Sequence, residues 1–194
     1  MRTLILASAS PGRRALLTRF GLAFETIPAD LDETPLPGET PAALVARLAR
    51  AKAEAVFADH PHAIVIGSDQ VADLEGEILG KPGTRCAAVA QLRRQAGRTV
   101  IFRTGLLVLA PGTHAQSAVI NVEARFRDLS REEIEHYVAS EDVTATAGSI
   151  KSEGLGITLV EAIRSDDPTA LIGLPLIALR GMLAKAGLPL PGDA

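Results

Sequence analysis

The sequence predicts an α/β fold in which helices flank a mixed, twisted sheet. The first observation is a pair of apolar runs, residues 3–7 and 62–67, with the composition of strands buried on both faces. The second is that helical patterns separate such runs, which is typical of βαβ units and parallel strands. The third is that residues 98–110 and 116–126 have the pattern of paired strands on either side of "PGTH", whose Pro-Gly predicts a turn.

The helix boundaries follow from capping residues. Ser10 and Pro11 are typical of an N-cap and a first helical residue, and Thr40 precedes a second helix in the same way. Ser130 and Glu133 form a capping box. The predicted helices span about residues 11–20, 41–58, 84–96 and 130–139, with a last helix that ends at residue 187. The residues of the first helix expected to face inward are Ala15, Leu16, Leu17 and Phe20.

Composition and charge limit the functional classes. With 194 residues, of which 47% are hydrophobic, the chain can bury one sizeable core, and we expect a single domain over residues 1–194. A net charge of -3 provides no general positive field for nucleic acid. The single cysteine, Cys86, excludes an internal disulfide, and no leader or membrane span is recognised, so we expect a cytoplasmic protein. A zinc cluster is not expected from the scattered histidines His60, His62, His114 and His136.

The stretch "SASPGRR", residues 8–14, combines hydroxyls and arginines directly after a buried strand. A helix that begins at Ser10 points free N–H groups and its positive dipole end at the place where the strand stops, which outlines an anion site. Arg13 and Arg14 lie in the first helical turn, where the dipole disfavours cations, so helix propensity does not explain them. The alternative is that Ser10 only caps the helix and both arginines are solvated.

Lys52 lies near the centre of an apolar helical stripe. A lysine in that position must either extend its ammonium group to the surface or meet a buried partner. The first is the commoner arrangement, and a phosphate-facing lysine would satisfy the same geometry. The stripe is predicted to contain Leu44, Val45, Leu48, Ala49, Ala55 and Val56.

Carboxylates are the third group of candidates. In "IGSDQV", Asp69 is predicted just past the carboxyl end of a strand, where open α/β sheets bind ligands, although such a residue can also simply cap a turn. The acidic loop "DLDETP" contains Glu33, which could offer hard oxygen ligands to Mg²⁺ or be merely solvated. Lys81 follows a predicted hairpin, "VADLEGEILG". Together, hydroxyl, arginine, lysine and carboxylate groups are those used for phosphate-ester hydrolysis with a divalent metal.

A set of ordered motifs carries a resemblance to a known family. They are "LASASPGRRALL", "DETP", "RLARAKAEAV", "IGSDQV", "GKP", "TGL", "FRDLSREEIEHYV", "AGSIKSEGLGITL" and "IGLPLIAL". From about residue 4 to residue 183 the chain resembles the Maf family of nucleotide pyrophosphatases. The resemblance implies a Maf/ITPase-like fold with an active-site cleft between two lobes, and hydrolysis of a nucleoside triphosphate between its α and β phosphates to a monophosphate and pyrophosphate.

The resemblance also implies residue roles and a divalent metal cofactor, Mg²⁺, Mn²⁺ or Co²⁺. The residues that would surround the phosphates are Ser8, Arg13, Arg14, Lys52 and Lys81. The catalytic carboxylates, which would serve the metal and the attacking water, are Glu33 and Asp69.

Three positions bear on base specificity. Gln70 and Glu153 make the chain similar to the YceF-like branch, assigned to 7-methyl-GTP, rather than to the branch acting on dTTP and UTP. A carboxylate at Glu153 can accept hydrogen bonds from the N1–H and 2-amino edge of guanine, and 7-methylation makes the purine cationic. The chain departs from that branch at Gly12, where an aromatic residue is usual.

These observations leave alternatives. One is a pyrophosphatase of the dTTP and UTP type, and another is a nucleotide-binding regulator of cell division without turnover, although Glu33 and Asp69 together favour turnover. We expect a nucleoside triphosphate as the partner molecule, without stable nucleic-acid binding or membrane association. The oligomeric state is open, a homodimer included.

Overall fold

A computed structural model of the chain describes residues 2–190. It contains seven strands and five α-helices within that range. The strands are β1 (Leu4–Leu6), β2 (Glu25–Thr26), β3 (Ile64–Leu74), β4 (Glu77–Leu79), β5 (Thr99–Leu109), β6 (Gln116–Phe126) and β7 (Val160–Arg164). The helices are α1 (Pro11–Thr18), α2 (Pro41–Asp59), α3 (Arg85–Gln95), α4 (Arg131–Ser140) and α5 (Leu176–Lys185). Short 3₁₀ segments cover Ala147–Ser149, Leu155–Leu159 and Pro168–Ile172.

The strands form one mixed sheet in the order β2-β1-β3-β5-β6-β7, with β4 paired to β3. β1 is parallel to both β2 and β3, whereas the pairs β3–β5, β5–β6 and β6–β7 are antiparallel. The α/β class with a mixed sheet is therefore confirmed. So are the predicted caps Ser10, Thr40 and Ser130, because their side chains accept N–H bonds at their helix starts. Thr84, predicted inside the third helix, is its N-cap instead.

Alternating residues of the central strands face different helices. In β1, Leu4 and Leu6 pack with α1 and α5, whereas Ile5 packs with α2. The same alternation continues in β3, where Ile66 faces α1 and α5 and Val65 faces α2. The central strands are thus buried on both faces, as their apolar runs predict.

Along one edge, β3 has a gap between two partners. β1 pairs with residues 64–66 and β4 with residues 72–74, while β5 covers the opposite edge over residues 65–73. Within the part of the chain that the structure describes, residues 67–71 therefore have no strand partner on that edge. Asp69 lies in the middle of this gap.

Glycines let α2 pack close to the sheet beside the gap. A Cβ at Gly67 would overlap the carbonyl oxygen of Ala49, and one at Gly105 would overlap that of Val45. Only glycine permits this approach of helix backbone to strand backbone. The close packing brings the side chains of α2, Lys52 among them, onto the middle of β3.

The structure corrects several predicted details. The second apolar run belongs to a strand that continues to Leu74, so Asp69 is inside a strand rather than past its end. Ala15 and Ala55 are exposed rather than inward-facing, and Ala53 is buried in place of Ala55. The strands β2 and β7 were not predicted, because one is only two residues long and the other has no fully buried residue. Among residues 2–190, no helix has the length and apolar composition that a membrane crossing requires.

Candidate active site

A cavity of about 940 Å³ lies at the gap in β3. Its walls come from the β1–α1 turn, the loop before α2, α2, β3, the segment around β4, and residues 142–153. Arg14 does not line it. The predicted site residues that do are Ser8, Gly12, Arg13, Glu33, Lys52, Asp69, Gln70, Lys81 and Glu153.

The β1–α1 turn brings hydroxyls and the start of a helix to the cavity. The Oγ of Ser10 accepts the N–H of Arg13 at 3.4 Å, which caps α1. The Oγ of Ser8 accepts the N–H of Ser10 at 3.1 Å and Nη1 of Arg13 at 3.2 Å. Since these residues line the cavity, the positive end of α1 borders it, as an anion site requires.

Arg13 is fixed from two sides. Besides its bond to Ser8, its Nε donates to the carbonyl oxygen of Gly173 at 2.8 Å. Gly173 has a φ of 114°, a conformation that favours glycine. Burial lowers the pKa of Arg13, while the charges of Asp69 and Glu33 raise it. Because a guanidinium stays charged in proteins, Arg13 gives the cavity a permanent positive charge in a fixed position.

Arg14 points elsewhere. Consecutive helical residues are rotated by about 100° around the axis. Arg14 is therefore exposed outside the cavity that Arg13 lines. Its role at the phosphates stays a prediction.

Lys52 is buried between two carboxylates. Its Nζ lies 2.6 Å from Oδ1 of Asp69 and 2.5 Å from Oε1 of Glu33. Lys52 and Asp69 are each only 6% exposed. The alternative in which the ammonium group extends to the surface is therefore wrong, and Lys52 meets buried partners instead. We call Lys52, Asp69 and Glu33 the ion-pair cluster.

Glu33 connects the ion-pair cluster to Lys81. The exposed Nζ of Lys81 lies 3.4 Å from Oε2 of Glu33. Desolvation alone would raise the pKa of Glu33, but the hydrogen bond and charge of Lys52, together with Lys81, lower it below its usual value. The Glu33 carboxylate is therefore ionised at neutral pH, and the loop before α2 contributes a fixed negative charge.

An ion pair outside the cavity holds this loop on α2. Nε and Nη2 of Arg47 bind the two carboxylate oxygens of Glu39 at 2.7 and 2.8 Å, and Nη2 also donates to the carbonyl oxygen of Thr34. Glu39 in turn accepts the N–H of Leu36 at 3.0 Å. These hydrogen bonds to Arg47 and Leu36 lower the pKa of Glu39 to about 2. These contacts fix the backbone next to Glu33. In the sequence, Glu39 and Arg47 could not be distinguished from ordinary surface charges.

The three polar residues in the middle of β3 divide between its two faces. Ser68 Oγ donates to the carbonyl oxygen of Gly173 at 2.9 Å, and Gln70 Nε2 donates to those of Ala170 at 2.6 Å and Leu171 at 3.0 Å. Asp69 faces the other way, toward α2. The amide of Gln70 thus anchors the 3₁₀ segment that precedes Gly173, and its role in reading the base stays a prediction.

A second part of the lining is the irregular segment 150–154, which we call the recognition loop. It contributes Glu153, which is exposed, and Lys151, which sequence reasoning did not single out although it lies two residues earlier in the same motif. Lys151 makes no ion pair of 4.0 Å or less with any residue described here. In an extended segment, residues two positions apart point to the same side, so Lys151 could have been identified from its spacing to Glu153.

Tyr137 of α4 and Glu141, which follows that helix directly, support the recognition loop from behind. The Oη of buried Tyr137 accepts the N–H of Lys151 at 3.0 Å. Burial raises the pKa of Tyr137 and the nearby Glu141 raises it further, so the hydroxyl stays protonated. The Glu141 carboxylate lies against Gly154, where a Cβ would overlap it.

Gly12 borders the cavity next to Ile172. A Cβ at Gly12 would lie 3.3 Å from Cγ2 of Ile172, which is a tight contact. Ile172 therefore lies against position 12, where the YceF-like branch usually has an aromatic residue. The cavity offers an aliphatic surface there instead of a ring.

Glu33 and Asp69 are the two lining carboxylates that share one cation, the Lys52 ammonium group. Among residues 2–190 no group of three or more His, Cys, Asp or Glu side chains is arranged around one point. Any cation bound by the ion-pair cluster would thus rely on these two carboxylates and on groups from outside the chain.

Comparison with known proteins gives consistent matches. The Maf-like protein family model matches residues 3–186. The 7-methyl-GTP pyrophosphatase of Polaromonas sp. is 55% identical over 193 residues, covering 99% of this chain and 88% of the relative. That of Aromatoleum aromaticum is 56% identical over 190 residues, covering 97% of each. The solved Staphylococcus aureus Ham1 protein is similar at 19% identity and a TM-score of 0.49, covering 66% of this chain and 73% of that one.

The family match includes every residue of the ion-pair cluster, the β1–α1 turn and the recognition loop. The family match spans nearly the whole chain, so the assignment does not depend on a single motif. The chain belongs to the Maf family.

Proposed function

We propose that this protein is a nucleoside triphosphate pyrophosphatase that hydrolyses 7-methyl-GTP to 7-methyl-GMP and pyrophosphate. The observation that carries the proposal is the ion-pair cluster, in which Lys52 and Asp69 are buried, beside Arg13 and the start of α1 in a cavity of about 940 Å³. Relatives at 54–56% identity named 7-methyl-GTP pyrophosphatase support the substrate.

The cationic groups of the cavity suit a triphosphate. Arg13 offers Nη2, which makes no hydrogen bond to another described residue, while its other nitrogens are held by Ser8 and Gly173. Lys81 lines the cavity, is exposed, and has a 3.4 Å contact with Glu33 that it can exchange for a phosphate oxygen. Charge-assisted hydrogen bonds to phosphate oxygens are about twice as strong as neutral ones, so a fixed guanidinium contributes both affinity and orientation.

The donor set fits a divalent cation. Glu33 and Asp69 present carboxylate oxygens to one point, which the ammonium group of Lys52 now contacts at 2.5 and 2.6 Å. Hard oxygen donors of this kind, completed by phosphate oxygens and water, suit Mg²⁺ or a similar ion. When bound, such an ion would neutralise charge on the phosphates and activate water.

Asp69 is the residue proposed to handle the proton of the attacking water. It is held inside a strand, and only Oδ1 is engaged by Lys52 among the residues described. Oδ2 remains for a water molecule. Attack of water on a phosphorus of the α–β linkage forms a phosphorus–oxygen bond and breaks the bond from that phosphorus to the bridging oxygen. The water proton passes to the carboxylate, and the monophosphate and pyrophosphate leave.

The recognition loop is proposed to read the base. Glu153 would accept hydrogen bonds from N1–H and the 2-amino group of guanine, and the Lys151 ammonium could donate to O6. Both side chains line the cavity from one loop, two positions apart. A cationic 7-methylated ring beside the Glu153 carboxylate also lowers the electrostatic energy.

A panel of nucleoside triphosphates tests this function. Purified protein is incubated with 7-methyl-GTP, GTP, UTP, dTTP and ATP in Mg²⁺, and pyrophosphate is measured, with EDTA as the matched control. We expect the highest kcat/KM for 7-methyl-GTP and no turnover in EDTA. Absence of pyrophosphate with every nucleotide would refute the activity, and a preference for UTP or dTTP would refute the proposed substrate.

A further inference from the structure

The ion-pair cluster places a cation of the protein where a metal ion would bind. Lys52 Nζ touches one oxygen of Asp69 from β3 and one of Glu33 from the loop before α2. The ammonium group is buried, and its stem rises from the apolar stripe of α2 between Leu48 and Val56. Among the described residues, no other side chain bridges these two carboxylates.

We propose that Lys52 is an internal counter-ion that holds the two carboxylates ready and competes with the divalent metal for them. It leaves this position only when metal and triphosphate bind together, and its ammonium group then contacts the phosphates. This inference rests on the proposed function, because it assigns an order of events to the same site.

The competition follows from charge and space. An ammonium group in contact with both oxygens and a divalent ion between the same oxygens cannot coexist, because both need the same short distances and repel each other. A metal ion that enters alone must therefore displace Lys52 into a partly buried region that already contains Arg13. A displaced ammonium without a counter-charge is unfavourable there.

A triphosphate removes this obstacle. Its anionic oxygens give the displaced ammonium group a new partner, and the four-carbon stem of lysine is flexible enough to make the change. Metal and nucleotide should therefore favour each other's binding, and this coupling is reciprocal. The nucleotide-free protein should consequently bind divalent metal weakly.

The inference is tested without turnover by measuring the affinity of the nucleotide-free protein for Mn²⁺. Binding is followed by calorimetry and by the EPR signal of free Mn²⁺. Replacing Lys52 by Met keeps the stem and removes the charge, and Lys52→Gln removes the charge but keeps a polar end. We expect both to bind Mn²⁺ about 10- to 100-fold more tightly than the wild type, the range set by one charge-assisted contact. Lys52→Arg keeps the charge and should leave the affinity unchanged.

Lys81→Met is the matched control. It also removes a lysine near Glu33, but one that is exposed and contacts only a single carboxylate. We expect a change of less than about threefold, because exposed ion pairs contribute little. Unchanged or weaker Mn²⁺ binding in folded Lys52→Met and Lys52→Gln proteins would overturn the inference.

A measurement on the wild type covers the case in which the neutral variants do not fold. The ammonium resonance of Lys52 is followed by NMR while Mg²⁺ is added alone, and then with guanosine α,β-methylene triphosphate. We expect a shift only with both ligands, and a shift with Mg²⁺ alone would contradict the counter-ion role. Failure of the proposed function is distinguishable, because it would appear as absent pyrophosphate release while these binding results still hold.

Discussion

The two sides of the cavity are built differently. The ion-pair cluster and Arg13 stand on or beside regular elements and are held by short contacts to Ser8, Gly173 and each other. The recognition loop lies between two 3₁₀ segments and depends on Tyr137 of α4 behind it. The first side is rigid and charged, whereas the second is irregular and partly exposed. With the proposed roles, this difference predicts that turnover and base selectivity can be altered separately.

The largest effect is expected for the carboxylate inside β3. Asp69→Asn keeps the shape of the side chain but removes its capacity to take a proton, and kcat should fall by at least about 100-fold. Steady-state pyrophosphate release measures this. Asp73→Asn is the matched control, since Asp73 is buried in the same strand but binds Arg103 and the N–H of Gly76. It should lose stability and retain kcat, and near-normal turnover in folded Asp69→Asn would exclude the proposed role.

The adjacent arginines offer the next test. Arg13→Met removes a held guanidinium and should lower kcat/KM by about 10- to 100-fold, as for the loss of one charge-assisted contact. Arg14→Met should change it by less than about threefold, because an exposed charge outside the cavity has a small effect. Kinetics on 7-methyl-GTP compares the two variants directly. Equal losses would mean that Arg14 also reaches the phosphates.

Selectivity should respond to the recognition loop instead. Glu153→Gln replaces an acceptor with an amide whose NH₂ group faces the guanine donors. The ratio of kcat/KM for 7-methyl-GTP over GTP should fall by about 10- to 100-fold, with cleavage retained. Gln70→Glu is not a suitable control because the Gln70 amide is bound to Ala170 and Leu171. Ser152→Ala, in the same loop but outside the cavity lining, should leave the ratio unchanged.

A smaller loss of selectivity is expected from the support behind the loop. Tyr137→Phe keeps the buried ring and removes the acceptor for the Lys151 N–H. One neutral hydrogen bond contributes about 1 kcal/mol, so the same ratio should fall by about fivefold while kcat changes little. A loss of kcat without a change in the ratio would show that Tyr137 supports the fold generally and not the loop in particular.

The smallest effect concerns the Glu39–Arg47 contact. Because the pKa of Glu39 is lowered from 4.5 to about 2, the contact stabilises the loop fully above pH 4.5 and is lost as the pH falls toward 2. In Glu39→Gln the Leu36 amide should exchange faster with solvent at neutral pH. Glu54→Gln, which removes the exposed partner of Arg50, serves as the control. If the Leu36 amide exchanges equally slowly in wild type, Glu39→Gln and Glu54→Gln, its hydrogen bond to Glu39 is contradicted.

Local sequence patterns predicted the helices and most of their caps, because a side chain such as Ser10 or Ser130 satisfies backbone groups only three residues away. They did not predict the full length of β3, where polar residues 68–70 interrupt the apolar run and are satisfied by distant partners. For the same reason the burial of Lys52 depends on Asp69 and Glu33, which only the folded chain brings together.

For the candidate site, too, the sequence predicted some features and missed others. The motifs identified nine residues that line one cavity. They could not separate Arg13 from Arg14, because that requires the rotation of α1 relative to the sheet. Tyr137 and the Glu39–Arg47 pair were missed because their contacts join a helix to a neighbouring loop, which no periodic pattern within one element indicates. The division of the domain into two lobes and the homodimer stay predictions.

The most direct test of whether phosphate binding and base selectivity are separate is the ratio of kcat/KM for 7-methyl-GTP over GTP. It is measured side by side in wild type, Arg13→Met and Glu153→Gln. We predict that Arg13→Met lowers both kcat/KM values and leaves their ratio within about twofold of the wild type, because a phosphate contact is common to both substrates. Glu153→Gln should lower the ratio by about tenfold or more. A ratio that falls as much in Arg13→Met as in Glu153→Gln would contradict the account.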